Sequence, residues 1–130
     1  MIQHSCLLCI GSNMARHTHM ENARKSLTGH FPNIRFGKEM ETEAIGGNFL
    51  SPFSNQVATF TTSLSAEEVR CILKGIERNN GRTTEDKTQG IVKLDIDFLM
   101  YDDQVLKPQD MEKEFVKLGM KYLSETTDEE

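Results

Sequence analysis

Nowhere in this chain do more than five apolar residues stand together; the longest such run is Cys6 to Ile10. A bilayer-crossing helix needs about twenty, so no membrane span is expected. No charged stretch leads into a long apolar one, so no secretory leader is expected either. Lysine and arginine number 15 against 20 aspartates and glutamates, a net charge of −5, and no basic block is present. Nucleic-acid affinity rests on clustered cations, so no such partner is expected. Three cysteines are too few for a disulfide framework in 130 residues. Cys6 and Cys9 form a C-x-x-C, but within a strand-like run, where residues three apart point to opposite faces. Their sulfurs therefore diverge, and no second Cys/His pair follows at zinc-finger spacing. Both read as buried thiols in a reducing, cytoplasmic setting. Internal repeats and a Walker-type glycine loop are also missing.

What is present suits one domain. Leu, Ile, Val and Phe number 31 of 130, more than a disordered chain carries. The length supports one core but not two. The expectation is a single domain over residues 1–123 and a frayed acidic tail over 124–130. A first strand runs from Gln3 to Ile10 and ends in the turn signature Gly11-Ser12-Asn13. Met20, Ala23, Leu27 and Phe31 mark a helix, closed by Gly29 and Pro32. A broken strand over Asn33–Thr42 and a mobile glycine-rich loop over Ala44–Ser54 follow, then a clear strand over Asn55–Thr62. Ser65 and Glu68 form a capping box for a helix striped by Val69, Ile72, Leu73 and Ile76, with Gly81 as its left-handed stop. Arg82–Gly90 reads as a second mobile polar loop, and Leu94–Tyr101 as a strand. A last helix after Pro108 carries Met111, Phe115, Leu118 and Tyr122 on one stripe. The order predicts an α+β, ferredoxin-like βαββαβ sandwich with an additional C-terminal helix.

The last strand carries an anomaly, Leu94-Asp95-Ile96-Asp97-Phe98. Aspartate is a poor strand former, yet two alternate with Leu94, Ile96, Phe98 and Met100, which take the buried face. Asp95 and Asp97 then project from the other face about 7 Å apart. Either they solubilise a sheet edge or they share a cation; hard oxygen ligands on a rigid strand suit Mg²⁺ with substrate phosphates. Glu77, Arg82, Lys87 and Lys93 lie in or beside the adjoining loop, where a phosphate ligand needs charge, and each is also an ordinary surface charge. His4, His17, His19 and His30 read as surface or structural.

Ile10-Gly11-Ser12-Asn13, Asn55, Ile76-Glu77-Arg78-Asn79-Asn80-Gly81-Arg82 and Leu94-Asp95-Ile96-Asp97-Phe98-Leu99-Met100-Tyr101 occur in this order. In them, over roughly Cys6 to Leu106, the chain resembles hydroxymethyldihydropterin pyrophosphokinase, a ferredoxin-like, cytoplasmic enzyme of folate biosynthesis. The resemblance implies Mg²⁺-dependent transfer of pyrophosphate from ATP to 6-hydroxymethyl-7,8-dihydropterin. It implies that Asp95 and Asp97 hold two Mg²⁺ ions on ATP, with Arg82 as a catalytic-loop arginine. Thr42, Phe53 and Asn55 match pterin positions, and Glu77 and Lys93 fall to the nucleotide. The expected partners are ATP and a pterin alcohol, with the oligomeric state open. The chain departs from the family's Gly-Pro-Arg-Thr with Gly90-Ile91-Val92-Lys93, where an extended segment turns Lys93 to the other side. It also has Gln89 for a common tryptophan, and Gln109-Asp110-Met111 where a His and an Arg are usual. A non-catalytic homologue that binds a pterin, nucleotide or protein on the same face therefore stands as the alternative.

Overall fold

In the computed structural model, which describes residues 2–42 and 52–126, the chain begins with β1 (His4–Ser12), α1 (Arg16–His30), β2 (Arg35–Phe36), β3 (Met40–Thr42) and β4 (Phe53–Thr62). It continues with α2 (Ala66–Asn79), α3 (Thr84–Thr88), β5 (Asp95–Tyr101), β6 (Gln104–Val105), α4 (Pro108–Met111) and α5 (Glu114–Thr126). The strands form one antiparallel sheet in the order β2-β4-β1-β5-β6, with β3 also paired to β4. The α1 crossover steps over β4, and the α2 crossover steps over β1. Both helices pack on one face: Met20, Ala23 and Leu27 of α1 and Val69, Leu73 and Ile76 of α2 join Cys6, Leu8, Ile10, Phe60, Ile96 and Phe98 in one core. This is the expected ferredoxin-like sandwich.

Period-two alternation sends Leu7 and Cys9 to the opposite face, into a second core with Val57, Leu99, Val116 and Leu123. Cys6 and Cys9 are thus both buried, on opposite sides of the sheet. The α2 capping box forms as read: Glu68 N donates to Ser65 Oγ at 3.2 Å, and Ser65 N to Glu68 Oε1 at 3.0 Å. Gly81 takes φ +80° just beyond that helix, where a side chain would be strained.

Several expectations are corrected. β1 runs on to Ser12 through the supposed turn, and α1 continues past Gly29 to His30. The broken strand forms as expected in two pieces, β2 and β3, parted at Gly37, whose N–H donates to the Val57 carbonyl and whose carbonyl accepts from Gln56 Nε2. β4 begins at Phe53, so Phe53 and Ser54 are strand, while residues 44–51 of the expected mobile loop lie outside the described residues. The polar 82–90 loop contains the short helix α3. In β5 the pairing to β1 shifts between Leu7 and Leu8, so Leu8 faces Phe98 and Leu7 faces Met100. Leu99 is the extra residue of this bulge and lies in the second core; Met100 packs there too, not with Phe98 as alternation predicted.

The C-terminal helix is two helices, broken near Glu112 and Lys113. α5 turns Val116, Gly119 and Leu123 to the sheet; of the expected stripe, Met111 and Phe115 pack partly buried on the second core, while Leu118 is 48% and Tyr122 42% exposed. Gly119 decides this. A Cβ there would sit 2.7 Å from Val57 Cγ2, so only glycine permits this close approach. α5 ends at Thr126, so residues 124–126 are helical; 127–130 lie outside the described residues.

Candidate active site

α5 covers only part of the second sheet face. Beside it a cavity of about 1300 Å³ opens over the ends of β1, β4 and β5. Asp95 and Asp97 lie in its lining, two residues apart on β5. Arg82 Nη1 stands 2.5 Å from Asp95 Oδ1, 2.8 Å from Glu77 Oε2 and 3.4 Å from the Leu94 carbonyl. Burial raises the Asp95 carboxyl's pKa, but the hydrogen bond and charge of Arg82 outweigh it, and Asp95 stays below the ordinary carboxylate value. Asp97 moves the other way. Burial and then the Asp95 charge raise it, against the opposing pull of Lys107. Two carboxyls that feel each other's charge titrate as a pair, with one held ionised at the other's expense.

Thr42, Phe53 and Asn55 line the same cavity. Pairing of β3 with β4 sets Thr42 opposite Phe53, and Asn55 Nδ2 donates to Thr42 Oγ1 at 2.6 Å. Lys93 also reaches the lining, with Nζ 3.1 Å from Asp86 Oδ2 and 3.3 Å from the Gly81 carbonyl. The chain bends at Lys93, which is why this side chain does not point away as an extended segment would require. The Lys87 side chain lies outside the described residues.

Glu77 stands apart from the other named residues. It is only 8% exposed and lines a smaller neighbouring cavity rather than the large one. Its Oε2 accepts from Ile96 N at 2.7 Å as well as from Arg82. Burial raises its pKa, while the Ile96 amide and Arg82 work to lower it. The structure places it under Arg82, as an anchor for the guanidinium rather than toward the large cavity.

Lys107 and Lys113 escape the sequence reading, and Asn13 was read there only as part of a turn and a motif. Asn13 is buried; its Nδ2 donates to the Gly90 carbonyl at 2.9 Å and its Oδ1 accepts from Val92 N at 2.6 Å. It ties the segment after α3 to the end of β1. Lys107 Nζ contacts Asp97 Oδ1 at 2.8 Å, and Lys113 Nζ contacts Asp110 Oδ1 at 2.8 Å, all four lining the cavity. Lys107 was findable: β6 returns along β5 with Tyr101 opposite Gln104 and Met100 opposite Val105. Continuing that register brings Lys107 level with Phe98, beside Asp97.

The acidic pair suits a hard divalent ion. Among the described residues no group of three or more His, Cys, Asp or Glu forms a metal cluster. Two carboxylates with the remaining positions left to water and phosphate are the usual protein share of a Mg²⁺ site, so these residues fit the ion. No helix among the described residues is long and apolar enough to cross a membrane. A search of curated proteins finds no match to the chain. A family model described as 7,8-dihydro-6-hydroxymethylpterin-pyrophosphokinase (HPPK) matches residues 7–125.

Proposed function

The chain belongs to the 7,8-dihydro-6-hydroxymethylpterin-pyrophosphokinase family, and from that premise we propose that it transfers the pyrophosphoryl group of ATP to 6-hydroxymethyl-7,8-dihydropterin. The observation that carries the reading is that one cavity is lined both by Asp95, Asp97 and Arg82 and by Thr42, Phe53 and Asn55. In the reaction the pterin hydroxyl oxygen bonds to the β-phosphorus, the bond between that phosphorus and the α,β-bridging oxygen breaks, the hydroxyl proton is lost, and AMP departs.

Asp95 and Asp97 would hold Mg²⁺, two ions by the family pattern, which neutralises phosphate charge when bound. Arg82 lines the same cavity, charged and braced by Glu77, and offers donors to the charge that builds on the phosphates. Asn55, with a donor and an acceptor on one amide, suits the polar edge of the pterin, and Phe53 gives its ring an apolar contact. Asn13 holds the Gly90–Val92 backbone at the cavity's edge. Positioning and electrostatics carry most of phosphoryl-type transfer, so a dedicated base is not required.

One observation favours the second reading, a binding protein without turnover. Val92 stands where the family's loop arginine is usual, and Lys93 is engaged by Asp86 and Gly81. Calorimetry of ATP binding tests the site common to both. ATP should bind with Mg²⁺, and EDTA or the double substitution Asp95→Asn, Asp97→Asn should abolish binding. ATP affinity indifferent to both treatments would remove the site assignment.

A further inference from the structure

Asp97 is neutralised by a side chain that is free to leave. Lys107 reaches it at 2.8 Å with a side chain 47% exposed, and lines both the large cavity and the smaller one beside it. Arg82 has no such freedom, since Glu77, Asp95 and the Leu94 carbonyl hold one of its nitrogens together. The backbone of Lys107 is fixed independently of its ammonium. Its carbonyl accepts from Asp110 N at 3.1 Å and Met111 N at 3.3 Å in the first turn of α4, and Pro108 follows. A flexible four-carbon stem thus carries a movable charge from a fixed root.

The ammonium occupies an oxygen that a divalent ion on the acidic pair would need. Mg²⁺ binds carboxylate oxygen at about 2.1 Å and keeps a strict octahedron. An ammonium on Asp97 Oδ1 sets a like charge against it at close range. On the reading of this cavity as a Mg–ATP site, we infer that Lys107 is an exchangeable counter-ion. It holds Asp97 in the empty pocket, gives up that place to the divalent ion, and then pairs with the triphosphate. Lys113 does not share the role, because Asp110 already engages it. Ion and nucleotide then bind together better than either binds alone. The lysine keeps the carboxylates from loading with metal before the substrate arrives.

Mn²⁺ titration followed by electron paramagnetic resonance tests this on the full chain. Without nucleotide, Lys107→Met should bind Mn²⁺ about tenfold more tightly than the native protein, the effect of one removed like charge. It should bind ATP with Mn²⁺ about tenfold more weakly, and Lys107→Arg should restore both. Acylation footprinting of the native protein gives a second readout that needs no variant. Lys107 labelling should rise with Mn²⁺ alone and fall with Mn²⁺ and ATP together. Unchanged Mn²⁺ affinity in Lys107→Met, or Lys107 labelling equal in all three states, overturns the inference. These outcomes are separate from turnover: a protein that releases AMP with a silent Lys107 loses only the lysine, and one with the exchange but no AMP loses only the activity.

Discussion

At Arg82 one terminal nitrogen serves two carboxylates. Burial works against its charge, but the hydrogen bond and charge of Asp95 and the charge of Glu77 hold its pKa above the ordinary value. Loss of a single preorganised cation costs about a hundredfold or more in rate, so Arg82→Ala should lower AMP release by that factor while thermal melts show the fold intact. Asp97 predicts a stability effect of defined sign. Its folded pKa is raised, so its contribution is complete below the unfolded carboxylate value and is lost as pH rises through the folded one. Asp97→Asn should therefore melt higher than the native protein at neutral pH, by of the order of 1 kcal/mol for relief of one close like-charge contact, and no higher at pH 3. A lower melting temperature at neutral pH would contradict the carboxyl pair. The thiols give a third check. Burial, and then the Asp102 charge, pushes Cys6 up to about 11; burial, and then Asp97, pushes Cys9 up to about 12, while Cys71 is exposed. The thiolate is the reactive form, so a disulfide reagent at pH 8 should titrate one thiol in the native protein and three in denaturant.

Among the elements, α2 was legible from end to end because its signals are local. A capping box, an apolar stripe and a left-handed glycine each act within one or two turns. Removing the cap with Ser65→Ala should cost about 1 kcal/mol in a denaturant melt. Where contacts between distant residues decide, the sequence was read less well. The stripe Met111, Phe115, Leu118 and Tyr122 looks as good as the one α5 buries, and the choice between them rests on Gly119 meeting Val57 across the sheet. Gly119→Ala should destabilise by about 1–3 kcal/mol through overpacking, and Val57→Ala should relieve much of that loss in the double variant. Additive losses would show that the close approach does not set the helix face. The β5 bulge was hidden for a similar reason: alternation is visible along a strand, but the register that inserts Leu99 is set by β1. Lys107 went unnoticed because β6 is only two residues long.

For the whole molecule, the interlocked crossovers leave one sheet face to two occupants. α5 takes one part, and the cavity takes the other, with its acidic pair at the start of β5 and Thr42, Phe53 and Asn55 on β3 and β4. The acidic pair could be picked out because aspartates are costly in a strand. Arg82 stood out only as one of several loop charges, and Thr42 and Asn55 were named through resemblance; the fold brings them into one lining. The most direct measurement supplies ATP, Mg²⁺ and 6-hydroxymethyl-7,8-dihydropterin to the protein and quantifies AMP against a control without the pterin. Pyrophosphoryl transfer predicts AMP and pyrophosphorylated pterin in equal amounts, with neither formed in the control. Magnesium-dependent ATP binding with no AMP above that control would contradict the proposed activity and leave a binding protein built on the same pocket.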